Sequence, residues 1–218
     1  MFPVQKTITS FSKAKLFSIM FACAALAVTS VIILASGVTA ISVHFTHFET
    51  DWINTIVNWG TGILSWVVGW FILPAFMVIF AGVFQETTIY RVEQVFYPDD
   101  IRTIAPRFWP DLWHDVKFTV KALLLNIIIL PLYLFGIGFF ISILLNSYLL
   151  GHEFFESAAG YHLGKSSAKE LSKKNKPIIY GSGFLIAMMT LIPILNLFMP
   201  IVAIVWMVHV YHNIKETS

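Results

Sequence analysis

Four long stretches of this chain, residues 16–43, 52–84, 122–150 and 178–210, contain no aspartate, glutamate, lysine or arginine. At about 1.5 Å per helical residue, each is long enough to cross a hydrocarbon core of about 30 Å once, and none is long enough to cross it twice. Composition agrees: 57% of the residues are hydrophobic and only 12% are charged, against roughly a quarter in soluble domains. A soluble core could not hide this much apolar surface, so lipid is the solvent for most of the chain. The net charge of +2 gives no clustered basic face for nucleic acid. The single cysteine, Cys23, has no internal disulfide partner and reads as a small hydrophobe. The first apolar stretch follows Lys6, Lys13 and Lys15, as in a signal peptide. It far exceeds the roughly 7–15 residues of a signal core, so a retained span is expected.

The basic residues orient the chain. Lys6, Lys13 and Lys15 precede the first stretch. Arg91, Arg102, Arg107, Lys117 and Lys121 follow the second, Lys165, Lys169, Lys173, Lys174 and Lys176 follow the third, and Lys215 follows the fourth. Only the connection at 44–51, with Glu49 and Asp51, lacks both lysine and arginine. The positive-inside rule places that connection outside and every other polar segment inside. If the third stretch crossed once, its five following lysines would lie outside. If the third and fourth stretches each enter and leave on one face, the conflict disappears. Pro131 lies near the middle of the third, and Pro193 and Pro200 flank the middle of the fourth. Proline breaks a helix interior, and a half-depth hairpin is tolerated where protein satisfies the bend.

The expected fold is therefore an all-α integral membrane protein with two long transmembrane helices and two proline-centred, membrane-dipping helical hairpins. Four plain transmembrane helices are the alternative. The expected single membrane domain, 1–218, runs as follows: cytoplasmic tail 1–15, first span 16–43, long second helix 52–97, interfacial helix 98–121, hairpin 122–150, cytoplasmic Lys-rich segment 151–177, hairpin 178–212. In the second stretch Trp52, Trp59, Trp66 and Trp70 share a helical face, and Ser65 and Gly69 form a small-xxx-small pair suited to close packing.

No enzyme motif emerges. His152, Glu153 and Glu156 lack the second histidine of a zincin helix. His44 with His47, and His209 with His212, read as boundary residues offering too few donors for a metal. No metal or cofactor is expected. At membrane depth the polar residues are neutral: Thr29, Ser30, Asn58, Thr61, Asn126, Asn146, Thr190 and Asn196. Asn126, Asn146, Thr190 and Asn196 are the candidate hairpin-tip or pathway residues. Asn196, between Pro193 and Pro200, is expected at the last turn, and free helix ends there could offer N–H groups to an anion.

The run LLNSYLLGHEFFESAA at 144–159, followed by LIPILNLFMPIVAIVWMVHVYH at 191–212, resembles the CysZ-like sulfate permease family, which shares its domain with the etoposide-induced membrane proteins. LPAFMVIFAGVF at 73–84, RVEQVFYP ending at Pro98, and LPLYL at 130–134 are similar to its bacterial branch. The resemblance implies a multi-pass protein of the bacterial inner membrane with both termini cytoplasmic, long spans plus dipping hairpins, and homo-oligomers. It also implies sulfate permeation. Two functional readings follow: a passive, channel-like permease for sulfate or another small anion, or a membrane scaffold or assembly factor without a pore. The expected partners are membrane lipid, a small anion and further copies of the chain.

Overall fold

The computed structural model describes residues 2–45, 51–102 and 108–217, and every regular element among them is helical. His47 and Glu49 of the lysine-free connection, and Arg107, lie outside the described residues. The helices are α1 Val4–Lys13, α2 Phe17–Phe45, α3 Asp51–Val83, α4 Gln85–Phe96, α5 Phe108–Ile129, α6 Gly138–Leu163, α7 Lys165–Lys174, α8 Lys176–Thr190 and α9 Pro193–Thr217. They form two compact units, residues 18–83, and residues 1–17 with 84–218.

The first of these units is the pair α2 and α3, of 29 and 33 residues. At about 1.5 Å per residue both exceed the bilayer core. They run antiparallel: Ser42 Oγ donates to Thr61 Oγ1 at 3.2 Å. A Cβ on Gly69 would stand 2.7 Å from Val31 Cγ1. Ser65 and Gly69 are buried while Trp52, Trp59, Trp66 and Trp70 are exposed. The small pair thus serves packing, and the tryptophan face is left uncovered by α2.

One long helix over 52–97 was expected, and the chain departs from this. The helix breaks at Phe84, whose φ of −90° and ψ of 5° leave the helical region. The apolar run ends there, and Gln85 and Glu86 open a helix with its own buried face, Thr88, Ile89, Val92 and Glu93. Burial of that face fixes α4 independently of the span before it.

The second unit contains both hairpins. The arms of the first are α5 and α6. Between them a 3-10 turn at Leu130–Phe135, with Pro131 in its first turn, ends on Gly136 at φ +72°, where glycine is needed. The arms of the second are α8 and α9, joined at Leu191–Ile192. Pro193 is the first residue of α9, which suits its missing N–H and fixed φ. Pro200 lies inside α9 without ending it. The turn therefore precedes the expected position, and Asn196 stands in the first turn of α9. Bonds between residues three apart satisfy both bends: Gly136 N–H donates to Tyr133 C=O at 3.1 Å, and Ile192 N–H to Met189 C=O at 3.2 Å.

α8 has 15 residues, about 22 Å of helix, too short for a core of about 30 Å, whereas Trp113–Phe135 and Pro193–Thr217 are, by length and composition, each able to cross it. The charge-free part of α6, 138–150, is shorter. Leu134, Phe135, Phe140 and Ile194 near the tips are exposed, as groups dissolved in lipid should be.

Two further boundaries differ from expectation. The interfacial helix and the first hairpin arm are one helix, α5, because neither glycine nor proline interrupts 111–130. The Lys-rich segment 151–177 is packed helix: Phe155, Glu156, Ala158, Ala159 and Ala168 are buried. The small run Ser157-Ala158-Ala159-Gly160 lets neighbouring helices approach. α9 is the central helix, buried almost without interruption from Met199 to Ile214.

α6 and α8 cross backbone to backbone. A Cβ on Gly183 would stand 2.7 Å from Gly151 Cα and still closer to the Ser147 carbonyl oxygen. Gly183→Ala gains about 1 kcal/mol of helix propensity. The overpacking cost of about 1–3 kcal/mol or more falls on backbone that cannot rotate away. The expected net effect is destabilisation of about 2 kcal/mol in detergent unfolding. Gly37→Ala, in α2 with open space around its Cβ position, should be neutral or slightly stabilising.

Candidate functional site

Below the Gly151–Gly183 crossing, four helices present residues at four-residue spacing to one cavity of about 450 Å3. α5 supplies Lys117 and Lys121, α6 supplies Tyr148, His152 and Glu156, α7 supplies Lys169 and Lys173, and α8 supplies Lys176 and Tyr180. Residues four apart share a helical face, so each helix turns one stripe toward the same space. The aromatic wall is ordered. Tyr148 stacks on Tyr180 with centroids 5.7 Å apart, and His152 meets Tyr148 at 4.6 Å. Lys121 Nζ donates to Tyr148 Oη at 2.6 Å and lies over its ring.

Charge is unbalanced in this cavity. Five lysines line it against one glutamate. Glu156 is buried and already engaged: His152 Nδ1 lies 3.2 Å from its Oε1, and Ser172 Oγ donates to the same oxygen at 3.4 Å. His114 Nε2 lies 3.3 Å from Oε2. Among the described residues no hydrogen bond or ion pair engages the ammonium groups of Lys169, Lys173 and Lys176. Like charges held on one face repel, and an anion among them removes that cost. The arrangement can bind a small oxyanion through several N–H donors, with hydroxyl and imidazole donors beside them.

A second polar centre lies in the same unit where α4, α6 and α9 meet. Glu93 is fully buried. Its Oε1 faces His162 Nε2 at 2.7 Å and His212 Nε2 at 3.0 Å. Burial raises the Glu93 carboxyl pKa, but the hydrogen bonds from His162 and His212 outweigh it and hold the group below the ordinary range. His212 Nδ1 lies 3.3 Å from Asp100 Oδ2, and Asp100 takes Lys215 Nζ at 2.5 and 2.6 Å. Nearby, burial pushes the Tyr97 phenol well up, so its O–H donates to His209 Nδ1 at 2.8 Å. Ser10 Oγ is 2.8 Å from His209 Nε2 and donates to the Lys6 carbonyl at 2.8 Å. Among the described residues, Glu93, His162 and His212 form the group with metal-ligand spacing.

The residues singled out from sequence do not converge on either centre. Asn126 Nδ2 donates to the Ala122 carbonyl at 2.8 Å, Asn146 Nδ2 to Ser142 Oγ at 3.3 Å, and Thr190 Oγ1 to the Ala187 carbonyl at 2.7 Å. Each is tied to its own helix. His209 and His212 are buried partners in a network, where a boundary position was expected. The lysines were visible only as a tally for orientation. The pairs 117/121 and 169/173 were the available signal for a shared face. His162 and Glu93 carried none, being far apart in sequence and joined only by the fold.

A family model described as Sulfate transporter CysZ/Etoposide-induced protein 2.4 matches residues 4–200. No match was found among curated proteins or among solved structures.

The lysine cavity yields a binding expectation. Exposed charges contribute roughly 0.2–1 kcal/mol each. Replacing Lys169 and Lys173 together by glutamine should weaken sulfate binding about tenfold by titration calorimetry of the detergent-solubilised protein. The same pair of changes should leave the melting temperature within about 2 °C.

Proposed function

Since the chain belongs to the sulfate transporter CysZ/etoposide-induced protein 2.4 family, we propose that it is a passive, channel-like permease for sulfate or a similar small oxyanion. The observation that carries this reading is the cavity lined by five lysines and one already-engaged glutamate. In this reading the cavity collects the anion at the cytoplasmic face of a bacterial inner membrane, with both termini on that side. Neutral donors serve it farther in. Asn126, Asn146, Thr190 and Asn196 are the groups available along the hairpin arms, and the first three would exchange a bond to their own helix for one to the ion.

The lack of a coupling group supports passive flow. Coupled transporters keep an acidic, basic or histidine side chain at membrane depth, and the four apolar stretches hold no aspartate, glutamate, lysine or arginine and one histidine, His209, near the end of the last. His212 and Glu93 lie close to Asp100 and Lys215, at the polar end of the hairpin unit. No group in this reading performs covalent chemistry, and the protein acts as a permease, not an enzyme.

Purified protein in liposomes should take up radiolabelled sulfate down its own gradient, with charge compensation and without a proton or sodium gradient. The Lys169→Gln/Lys173→Gln pair should lower uptake about tenfold at sub-saturating sulfate, given contributions of roughly 0.2–1 kcal/mol per charge. Background uptake of sulfate, phosphate and chloride by correctly inserted protein would reject the permease and favour a non-transporting scaffold. Uptake that strictly follows a proton gradient would reject the passive mechanism.

A further inference from the structure

We propose that Glu93, His162 and His212 bind a divalent transition-metal ion of the zinc class, clamping α4, α6 and α9 together. This goes beyond the permease reading and does not rest on it. The three residues come from three helices, and one donor atom from each lies within 4.8 Å of the others. Zinc bonds to histidine and carboxylate are about 2.0–2.2 Å long, so tetrahedral donors stand roughly 3.3 Å apart, within that span. Two imidazoles and one carboxylate match borderline ions, whereas magnesium and calcium prefer all-oxygen sites.

Two independent observations point to a ligand here. First, Glu93 Oε2 is buried and without a hydrogen-bond partner among the described residues, and its side chain is only 1% exposed. An unmet carboxylate oxygen at such a position is costly; the histidines face the other oxygen, Oε1, and a carboxylate binding an ion through both oxygens would satisfy Oε2 as well. Second, both nitrogens of His212 face carboxylates, Nε2 toward Glu93 at 3.0 Å and Nδ1 toward Asp100 at 3.3 Å. With an ion bound, Nε2 gives its lone pair to the metal and Nδ1–H donates to Asp100. That is the carboxylate–histidine–metal relay of established sites, in which the outer carboxylate fixes tautomer and ring.

The rings are also held in place. Tyr97 stacks on His212 at 3.7 Å and 9°, and Tyr211 stacks on His162 at 5.4 Å and 16°. The donors are therefore positioned before an ion arrives, which lowers the ordering cost of binding.

The test uses the full chain, stripped with a chelator and dialysed against zinc chloride alone. We expect one zinc per chain, a melting temperature that rises with zinc, and visible absorption bands of tetrahedral cobalt when Co2+ replaces it. His162→Gln keeps an N–H toward Glu93 but is a poor ligand. It should weaken zinc binding on the order of 100-fold and abolish the cobalt bands. Asp100→Asn should weaken binding about 10–100-fold, as outer-shell changes do, and covers the case in which His162→Gln fails to fold. His44→Gln, in the other unit, should change nothing. Sub-stoichiometric zinc in the unaltered protein, or zinc binding unchanged in Asp100→Asn and in any folded His162→Gln protein, would overturn the proposal and leave a hydrogen-bonded structural cluster. Flux is not a readout, so the permease reading stands or falls separately.

Discussion

Everything in the hairpin unit hangs on the close approach of α6 and α8 at Gly151 and Gly183. A Cβ at 151 would stand 2.7 Å from the Ile179 carbonyl oxygen, so the two backbones touch there. Ile179 is flanked on its own helix by Lys176 and Tyr180, and Gly151 by Tyr148 and His152. The crossing thereby sets the tyrosine stack and brings the α8 lysine to the cavity already lined by α5 and α7. Membrane helices gain little from burying apolar surface against each other, because lipid is equally apolar. Small residues that allow backbone contact supply the attraction instead.

The buried polar centre does for the lower ends of α4, α6 and α9 what the glycines do for α6 and α8. Glu93 is held charged by two histidines, and Tyr97 and Tyr211 hold the histidine rings. Removing one partner of a buried pair costs about 3–5 kcal/mol, so these three helices share one register. The same rigidity keeps α6 in position at its other face, where Tyr148, His152 and Glu156 meet the cavity.

Much of the fold was legible in the sequence. Charge-free stretches marked the long apolar helices, although the last of them, α9, is covered by protein over most of its length, and Pro131 and Pro193 marked the two helical hairpins. The break at Phe84 was not legible: neither glycine nor proline stands there, and the cause is the buried face of α4, a tertiary effect. Asn196 was misplaced by one turn because Pro193 starts a helix as readily as it ends one. The site was less legible than the fold. Lysines on four helices form one cavity only after the helices pack. Histidines at 209 and 212 have the same spacing whether they lie in an interface or in a protein core, and the two cases are distinguished by partners brought in by the fold, Ser10 and Tyr97 at His209 and Glu93 and Asp100 at His212.

We propose that both hairpins enter and leave the membrane on one face, with the lysine cavity on the same side as the N-terminal helix. Single-cysteine labelling with a membrane-impermeant maleimide tests it most directly, in a Cys23→Ala background. Lys174, on the surface of α7, and Asp51, at the start of α3, are both exposed. In intact cells the cysteine at 51 should be labelled and the cysteine at 174 protected until the membrane is opened. Labelling at 174 from outside in intact cells would contradict the account, because the first hairpin would then have crossed the bilayer.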